Sequence, residues 1–352
     1  MEALSQIGKI SPEIFDRFIL PRLGAKDGAV LVGPKSGVDC GIVEIGDFAL
    51  SLTTDPVFIV PEYGWQRAAW FAIHIIASDS VTSGLKPRFL SIDLNLPMSI
   101  TDEQFKIVWD TIHHECLKLG IAIATGHTGR YENCAYPMVG GATLIGVGGK
   151  HQYVAPSFVR PGDDIIITKG PAIEATGILA TMFPELIERE FGKEFSRKAS
   201  DIFCKMSVVE DALTAVSLGV RDDGVTAMHD ATEYGIWGGV YEMARAAGLG
   251  VRIHKEKIVV AECVPEICSY FGIDPYSSIS EGTLIIACRK HKSQAVVAEL
   301  NSRHISCSIV GEFTTPEQGP VLVENGREVP LQHPGVDPFW KAFYQALERK
   351  AS

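Results

Sequence analysis

Met228-His229-Asp230-Ala231-Thr232-Glu233-Tyr234-Gly235-Ile236-Trp237-Gly238-Gly239 is the densest polar cluster of the sequence, set between a strand and a helix. Val225 to Met228 reads as a short apolar strand, and Gly238 to Ala247 as a helix closed by Gly248, so the chain crosses here from strand to helix as it does in an α/β layer. Ligands of such sheets gather at the carboxyl ends of strands, where the next helix offers unpaired N–H groups. His229, Asp230, Thr232 and Glu233 stand at that mouth. Asp230 and Thr232 also suit the capping of the helix. The variety of polar groups, with glycines keeping bulk away, favours a site.

Working outward, the second half continues to alternate. Asp164 to Lys169, Thr283 to Cys288 and Ile305 to Val310 read as strands, and His291 to Ser302 as a helix. Ser207 to Leu218 reads as a helix with a Ser207/Glu210 capping box and Gly219 behind it. The first half mixes strands with capped helices in an α+β manner. Ser11-Pro12-Glu13 starts a helix with an apolar face of Ile14, Phe15, Phe18 and Ile19, ending near Pro21. Thr101 to Gln104 is a capping box, with Phe105, Val108, Trp109, Ile112 and Cys116 as the buried stripe and Gly120 at the C′ position. Trp65 to Ala77 is a helix apolar on most faces, and Phe48 to Thr53, Arg88 to Leu96, Ile121 to Thr125 and Val139 to Val147 are strands. Breakers around Gly148 to Gly162 set a boundary near residue 155. The expected organisation is an N-terminal domain over 1–155, a C-terminal α/β domain over 156–340 and a tail over 341–352.

Composition narrows the function. A chain of 352 residues that is 46% apolar buries large cores, and a formal net charge of −11 without a basic run excludes a grip on nucleic acid or an anionic membrane. The N-terminus lacks the pattern of a signal peptide, and no stretch approaches the roughly 20 apolar residues of a membrane span, so the expected location is cytoplasmic. Eight scattered cysteines without a CxxC pair predict reduced, packed thiols.

Asp39, Asp55 and Asp79 each stand where an apolar segment ends. Carboxylates brought together from such ends suit a hard cation on a nucleotide phosphate; read separately, they are cap or turn aspartates. Thr125-Gly126-His127-Thr128-Gly129-Arg130 reads as a glycine-lined turn that receives phosphate oxygens, or as an ordinary turn with a solvated arginine. There is neither a GxxxxGK[ST] P-loop nor a GxGxxG followed by a helix. Lys169 ends a strand and meets either a phosphate or water. Glu281 by itself reads as an exposed glutamate. His113-His114-Glu115-Cys116 does not share one helix face in the manner of a metal site.

Taken together, Asp39 in its glycine-flanked loop, Thr53-Thr54-Asp55-Pro56, Ala77-Ser78-Asp79 with Gly84-Leu85-Lys86-Pro87-Arg88, Gly126-His127-Thr128, Met228 to Glu233 and Ser280-Glu281-Gly282 resemble the aminoimidazole-ribonucleotide synthase superfamily. That superfamily includes selenophosphate synthetase, thiamine-monophosphate kinase and the hydrogenase-maturation dehydratase HypE. The resemblance spans about residues 30 to 315 and is greatest to the HypE branch, through Asp274-Pro275 and the Met228 to Gly239 segment.

The resemblance implies a homodimer whose N-terminal domains share a β-barrel, with ATP and Mg²⁺ in adjoining clefts. Metal and phosphates would be held by Asp39, Asp55 and Asp79, with Gly126, His127, Thr128 and Lys169 as further nucleotide contacts and Asp79, Asp230 and Glu233 as catalytic groups. The implied reaction is phosphorylation of a carbonyl- or amide-type oxygen on a small or carrier-protein-bound substrate, as in dehydratase or synthase chemistry of hydrogenase maturation. The alternatives are a nucleotide-binding maturation factor without turnover and a small-molecule kinase. Two departures stand out. The HypE branch ends in a Pro-Arg-X-Cys tail, whereas this sequence ends Arg349-Lys350-Ala351-Ser352, and its usual Gly-Asp-Thr-Lys is Gly126-His127-Thr128-Gly129. Self-modification at a C-terminal thiol is therefore not expected.

Overall fold

The computed structural model describes Ile10 and residues 12–351. Two sheets organise the chain. The first contains β1 (Val30–Val32), β2 (Gly41–Ile45), β3 (Phe48–Phe58), β4 (Lys86–Pro97), β5 (Ala122–Tyr131) and β6 (Met138–Gly149), in the order β1-β2-β3-β6-β4-β5. Its β4–β5 pair is parallel and its other pairs are antiparallel. The sheet is open, so no barrel closes within one chain. Directly paired residues share a face of a sheet. The row Asp55, Ala142, Ile92 and Gly126 therefore looks inward, where Ala142 and Ile92 are buried beside the helices Trp65–Val81 and Asp102–Leu119. The alternate rows, with Phe48, Leu52, Phe89 and Tyr131, carry exposed apolar side chains.

The second sheet contains β7 (Asp164–Thr168), β8 (Val225–Asp230), β9 (Gly250–His254), β10 (Leu284–Cys288), β11 (Cys307–Thr314), β12 (Pro320–Glu324) and β13 (Arg327–Pro330), in the order β13-β12-β9-β11-β7-β10-β8. Its central strands are covered on both faces, which explains their unbroken apolar runs. Ile165, Ile167, Ile285 and Ala287 pack with the helix Gly235–Ala247, whereas Ile166, Leu284 and Ile286 join one continuous core with Leu90 and Ile92 of the first sheet. That shared core locks the two sheets together. A third, helical core gathers around Phe183 and Phe203 and includes Phe339, Ala342 and Ala346 of the helix Pro338–Ala351, so the stretch expected as a tail is packed helix.

Local signals behave unevenly. The Thr101/Gln104 capping box is present in both directions, and Gly120 closes that helix in the left-handed conformation. The Ser207/Glu210 box is not formed. The helix runs Val209–Val216 behind Val208, and the Ser207 hydroxyl is 2.8 Å from His74 Nδ1 instead. The expected turn at Thr125 to Arg130 is part of the edge strand β5. Its Gly126 is required by close packing, because a Cβ there would lie 2.4 Å from the Ile92 carbonyl oxygen. Near the N-terminus Pro12–Ile14 is helical and continues as a wider turn over Phe15–Ile19, with Phe18 and Ile19 exposed; Ser11 lies outside the described residues. All eight cysteines are free, and six of them are buried. Among the described residues no helix is long and apolar enough to cross a membrane.

Candidate active site

Asp39, Asp55, Asp79, Asp230 and Glu281 converge between the two sheets. Asp55 comes from the inward row of β3, Asp79 from the last turn of Trp65–Val81, Asp230 from the carboxyl end of β8 and Glu281 from the turn before β10. Asp39 arrives on a loop that the surrounding groups clip in place. The Thr53 hydroxyl lies 3.1 Å from the Asp39 carbonyl and 3.2 Å from Asp79 Oδ2, and the Cys40 thiol donates to the Asp79 carbonyl at 2.9 Å. Gly37 lets the loop pass Glu242 closely: its φ is +76°, and a Cβ there would meet the Glu242 carbonyl oxygen at 2.5 Å.

The electrostatics follow from this crowding. Burial pushes the Asp79 carboxyl well above its usual range, and Asp230, Asp55 and Asp39 push it further. Burial does the same to Glu281, followed by the charges of Asp230 and Glu174. Glu281 is only 1% exposed, against the expected exposed glutamate, and its backbone N–H donates to Glu174 Oε2 at 3.0 Å. Among the described residues no lysine or arginine pairs with Asp55, Asp79 or Glu281. A positive charge at the site comes from His229. Burial pulls its imidazole down, but Asp39 and Glu242 outweigh that and hold it at about 10. Nδ1 lies 2.8 and 2.9 Å from the two Asp39 oxygens, and Nε2 lies 3.4 Å from Glu242.

A ligand atom from each of Asp39, His229 and Asp230 falls within 4.8 Å of the others, a spacing that can hold a metal ion. Oxygen donors in this number suit a hard divalent cation such as Mg²⁺, which takes carboxylates and phosphate oxygens together. Ionising these carboxylates together calls for such a counter-ion, because like carboxylates this close do not all ionise without one.

Other expected site residues lie elsewhere. His127 sits on the outer face of β5, level with Asp93, and its Nε2 is 2.6 Å from the Tyr131 hydroxyl. Gly126 and Thr128 share that edge strand, three strands along from Asp55. The Lys169 ammonium is held by the Ser207 carbonyl at 2.7 Å and by Asp211 at 2.9 Å. Glu233 is half-buried beside Asp337, whose carboxyl is pushed up to about 6 by burial first and by Glu233 in part. Sequence reading passed over Glu174 and Glu242. Glu174 follows the carboxyl end of β7 at the start of a helix, so the strand-end rule that singled out Asp230 also reaches it. Glu242 lies within a helix and carries no comparable signal.

Residues 37–147 match the family described as AIR synthase related protein, N-terminal domain, and residues 160–323 match its C-terminal domain. The chain belongs to the AIR synthase related family. Among its relatives, a Methanocaldococcus jannaschii protein named for hydrogenase expression/formation is 24% identical over 327 residues, covering 92% of this chain and 93% of the relative. Carbamoyl dehydratase HypE of Escherichia coli is 27% identical over 277 residues, covering 77% of each. A solved hydrogenase maturation protein HypE in complex with ATP superposes with a TM-score of 0.64 at 21% identity, covering 93% of both chains, and so shares the fold. The expected HypE-like membership and two-domain fold are thus borne out, and ATP-dependent chemistry of the family type is supported at that level.

Proposed function

We propose that this protein uses ATP with Mg²⁺ to phosphorylate a carbonyl- or amide-type oxygen on a small or carrier-bound substrate, the chemistry of a HypE-like dehydratase. The observation that carries this reading is the convergence of Asp39, Asp55, Asp79, Asp230 and Glu281 from both halves of the chain on one buried point. Mg²⁺ bound there would neutralise the charge that spreads over the transferred phosphoryl group. The protein's own part is positioning, which supplies most of the catalysis in phosphoryl transfer. Thr53 and Cys40 fix Asp39 relative to Asp79, Ser78 accepts the Val208 N–H and ties the helix end to the C-terminal half, and the shared apolar core holds the two halves together. The relative in complex with ATP supports the nucleotide assignment.

The reading extends to a homodimer. The exposed outer face of the first sheet, with Phe48 at 57%, Met138 at 59% and Phe89 at 37% exposure, is an apolar surface of the kind that a second copy covers. Calorimetric titration with a non-hydrolysable ATP analogue, with and without Mg²⁺, tests the site. Magnesium-dependent binding lost in Asp55→Asn and Asp79→Asn is the expected result; binding unchanged in both variants overturns the assignment. Mass analysis of the product then separates a dehydrated substrate from a stably phosphorylated one.

A further inference from the structure

The carboxylate site does not rest only on the residues that form it. Downstream of β13 the chain turns back across the helix Gly235–Ala247, and two side chains of this return segment reach the groups that frame the site. His333 Nε2 lies 3.5 Å from Glu242 Oε1, and its ring packs against Tyr234 and Tyr241 at centroid distances of 4.5 and 5.6 Å. Glu242 is a junction: its other carboxylate oxygen faces His229 Nε2, and its backbone is the surface that Gly37 passes. From His229 the contact continues to both oxygens of Asp39.

The second side chain is Asp337. It is 6% exposed; Oδ2 accepts the Tyr234 N–H at 2.8 Å, and Oδ1 accepts the Phe339 N–H at 2.9 Å. Tyr234 holds φ at +66°, a left-handed conformation that is unfavourable for a side-chain-bearing residue and persists only where surroundings fix it. It is also the residue through which the Asp230–Glu233 segment enters the helix. Asp337 therefore fastens the far end of the loop whose near end carries His229 and Asp230, and the same carboxylate starts the helix Pro338–Ala351.

We propose that residues 331–337 are a brace for the metal site, with His333 positioning His229 and Asp39 through Glu242, and Asp337 positioning the Asp230–Glu233 loop through Tyr234. This inference rests on the reading of the carboxylates as a cation site, but its coupling is measurable without a cation. Outer groups that orient metal ligands change metal affinity by about 10–100-fold when removed. A return segment without that role would change stability alone.

The test uses the full chain with His333→Ala, His333→Gln, Asp337→Ala and, as a control on the same segment, the 68%-exposed Val336→Ala. Mn²⁺ titration followed by the paramagnetic signal of the free ion should show affinity about tenfold weaker in His333→Ala and Asp337→Ala. It should be unchanged in Val336→Ala and partly restored in His333→Gln, whose amide keeps a polar N–H group near Glu242. In the metal-free protein, the ring nitrogen resonances of His229 should move in His333→Ala and stay fixed in Val336→Ala. Equal Mn²⁺ affinity in all four variants, with an unmoved His229 signal in folded His333→Ala, overturns the brace. Absence of Mn²⁺ binding in the parent protein would instead overturn the cation site, and the His229 resonances would still decide whether the segment is coupled to it.

Discussion

Lys169→Met distinguishes a structural lysine from a phosphate ligand. The Lys169 side chain is 12% exposed and that of Asp211 is 2% exposed, and the ammonium also donates to the Ser207 carbonyl. Methionine preserves most of the stem but leaves Asp211 as a buried charge without its cation, a loss of about 3–5 kcal/mol when one partner of a buried pair is removed. At about 2–4 °C per kcal/mol for a cooperative unit of 150–250 residues, the melting transition should fall by about 10 °C. Adding Asp211→Asn removes the stranded charge and should recover most of that loss, giving a favourable coupling in the double-mutant cycle. Thermal and urea unfolding of the four proteins give the cycle, and titration with the ATP analogue in the presence of Mg²⁺ gives the binding. A Lys169→Met protein within about 0.5 kcal/mol of the parent, yet strongly weakened in nucleotide affinity, would refute the reasoning and restore Lys169 as a phosphate contact.

The carboxylates set a pH dependence of defined sign. Asp79 and Glu281 are held above their ordinary range, so the folded protein retains protons that the unfolded chain releases, and this contribution is full at low pH and lost as pH rises through the raised values. The melting temperature of the metal-free protein should therefore fall as pH rises above about 4.5, and Mg²⁺ should restore more of it at pH 8 than at pH 5; a scan with and without Mg²⁺ showing parallel curves would contradict this. Gly37→Ala adds a Cβ 2.5 Å from the Glu242 carbonyl at a φ of +76°, and should weaken Mg²⁺ binding while costing about 1–3 kcal/mol of stability, both read by calorimetry. Phe89→Glu with Met138→Lys should leave a folded monomer in sedimentation if a second copy covers that face, and a dimer that survives both changes places the interface elsewhere.

What the sequence revealed depended on whether a residue's role was local. The Thr101/Gln104 box works because both partners lie within one turn and nothing else competes for them. Ser207 has the same local pattern, but His74, from the other half of the chain, takes its hydroxyl, and a distant partner leaves no mark on spacing. The glycines of 125–130 suggested a turn because glycine usually marks backbone freedom, whereas Gly126 is needed for close approach between paired strands. Asp39, Asp55 and Asp79 are legible together because they stand where apolar segments end, and Asp230 is legible separately at the carboxyl end of a strand, where a fold brings polar groups together; only the family resemblance joins the two. Glu281 lies just before a strand, where a glutamate normally meets solvent; it is 1% exposed because the tertiary fold places it among Asp230, Glu174 and Asp55, residues far from it in sequence.

The same crowding that makes the site attractive to a cation makes it a liability to the empty protein. Like charges drawn from both halves oppose their approach, yet the apolar core that joins Ile166, Leu284 and Ile286 to Leu90 and Ile92 holds the halves together. Part of that opposition is relieved by raised carboxyl groups that keep their protons, and part by His229, which spans Asp39 and Glu242. His229 Nδ1 lies against both Asp39 oxygens and so fixes the carboxylate, while each oxygen keeps lone pairs for a cation on its other side. Removing the imidazolium by His229→Gln should thus lower stability without metal, because Asp39 and Glu242 lose their shared partner, and should also shrink the stabilisation by saturating Mg²⁺, because Asp39 is no longer held in place for the ion. A larger Mg²⁺-induced shift in the variant than in the parent would mean that the imidazolium competes with the cation for Asp39, and His229 would then oppose metal binding instead of orienting its ligand.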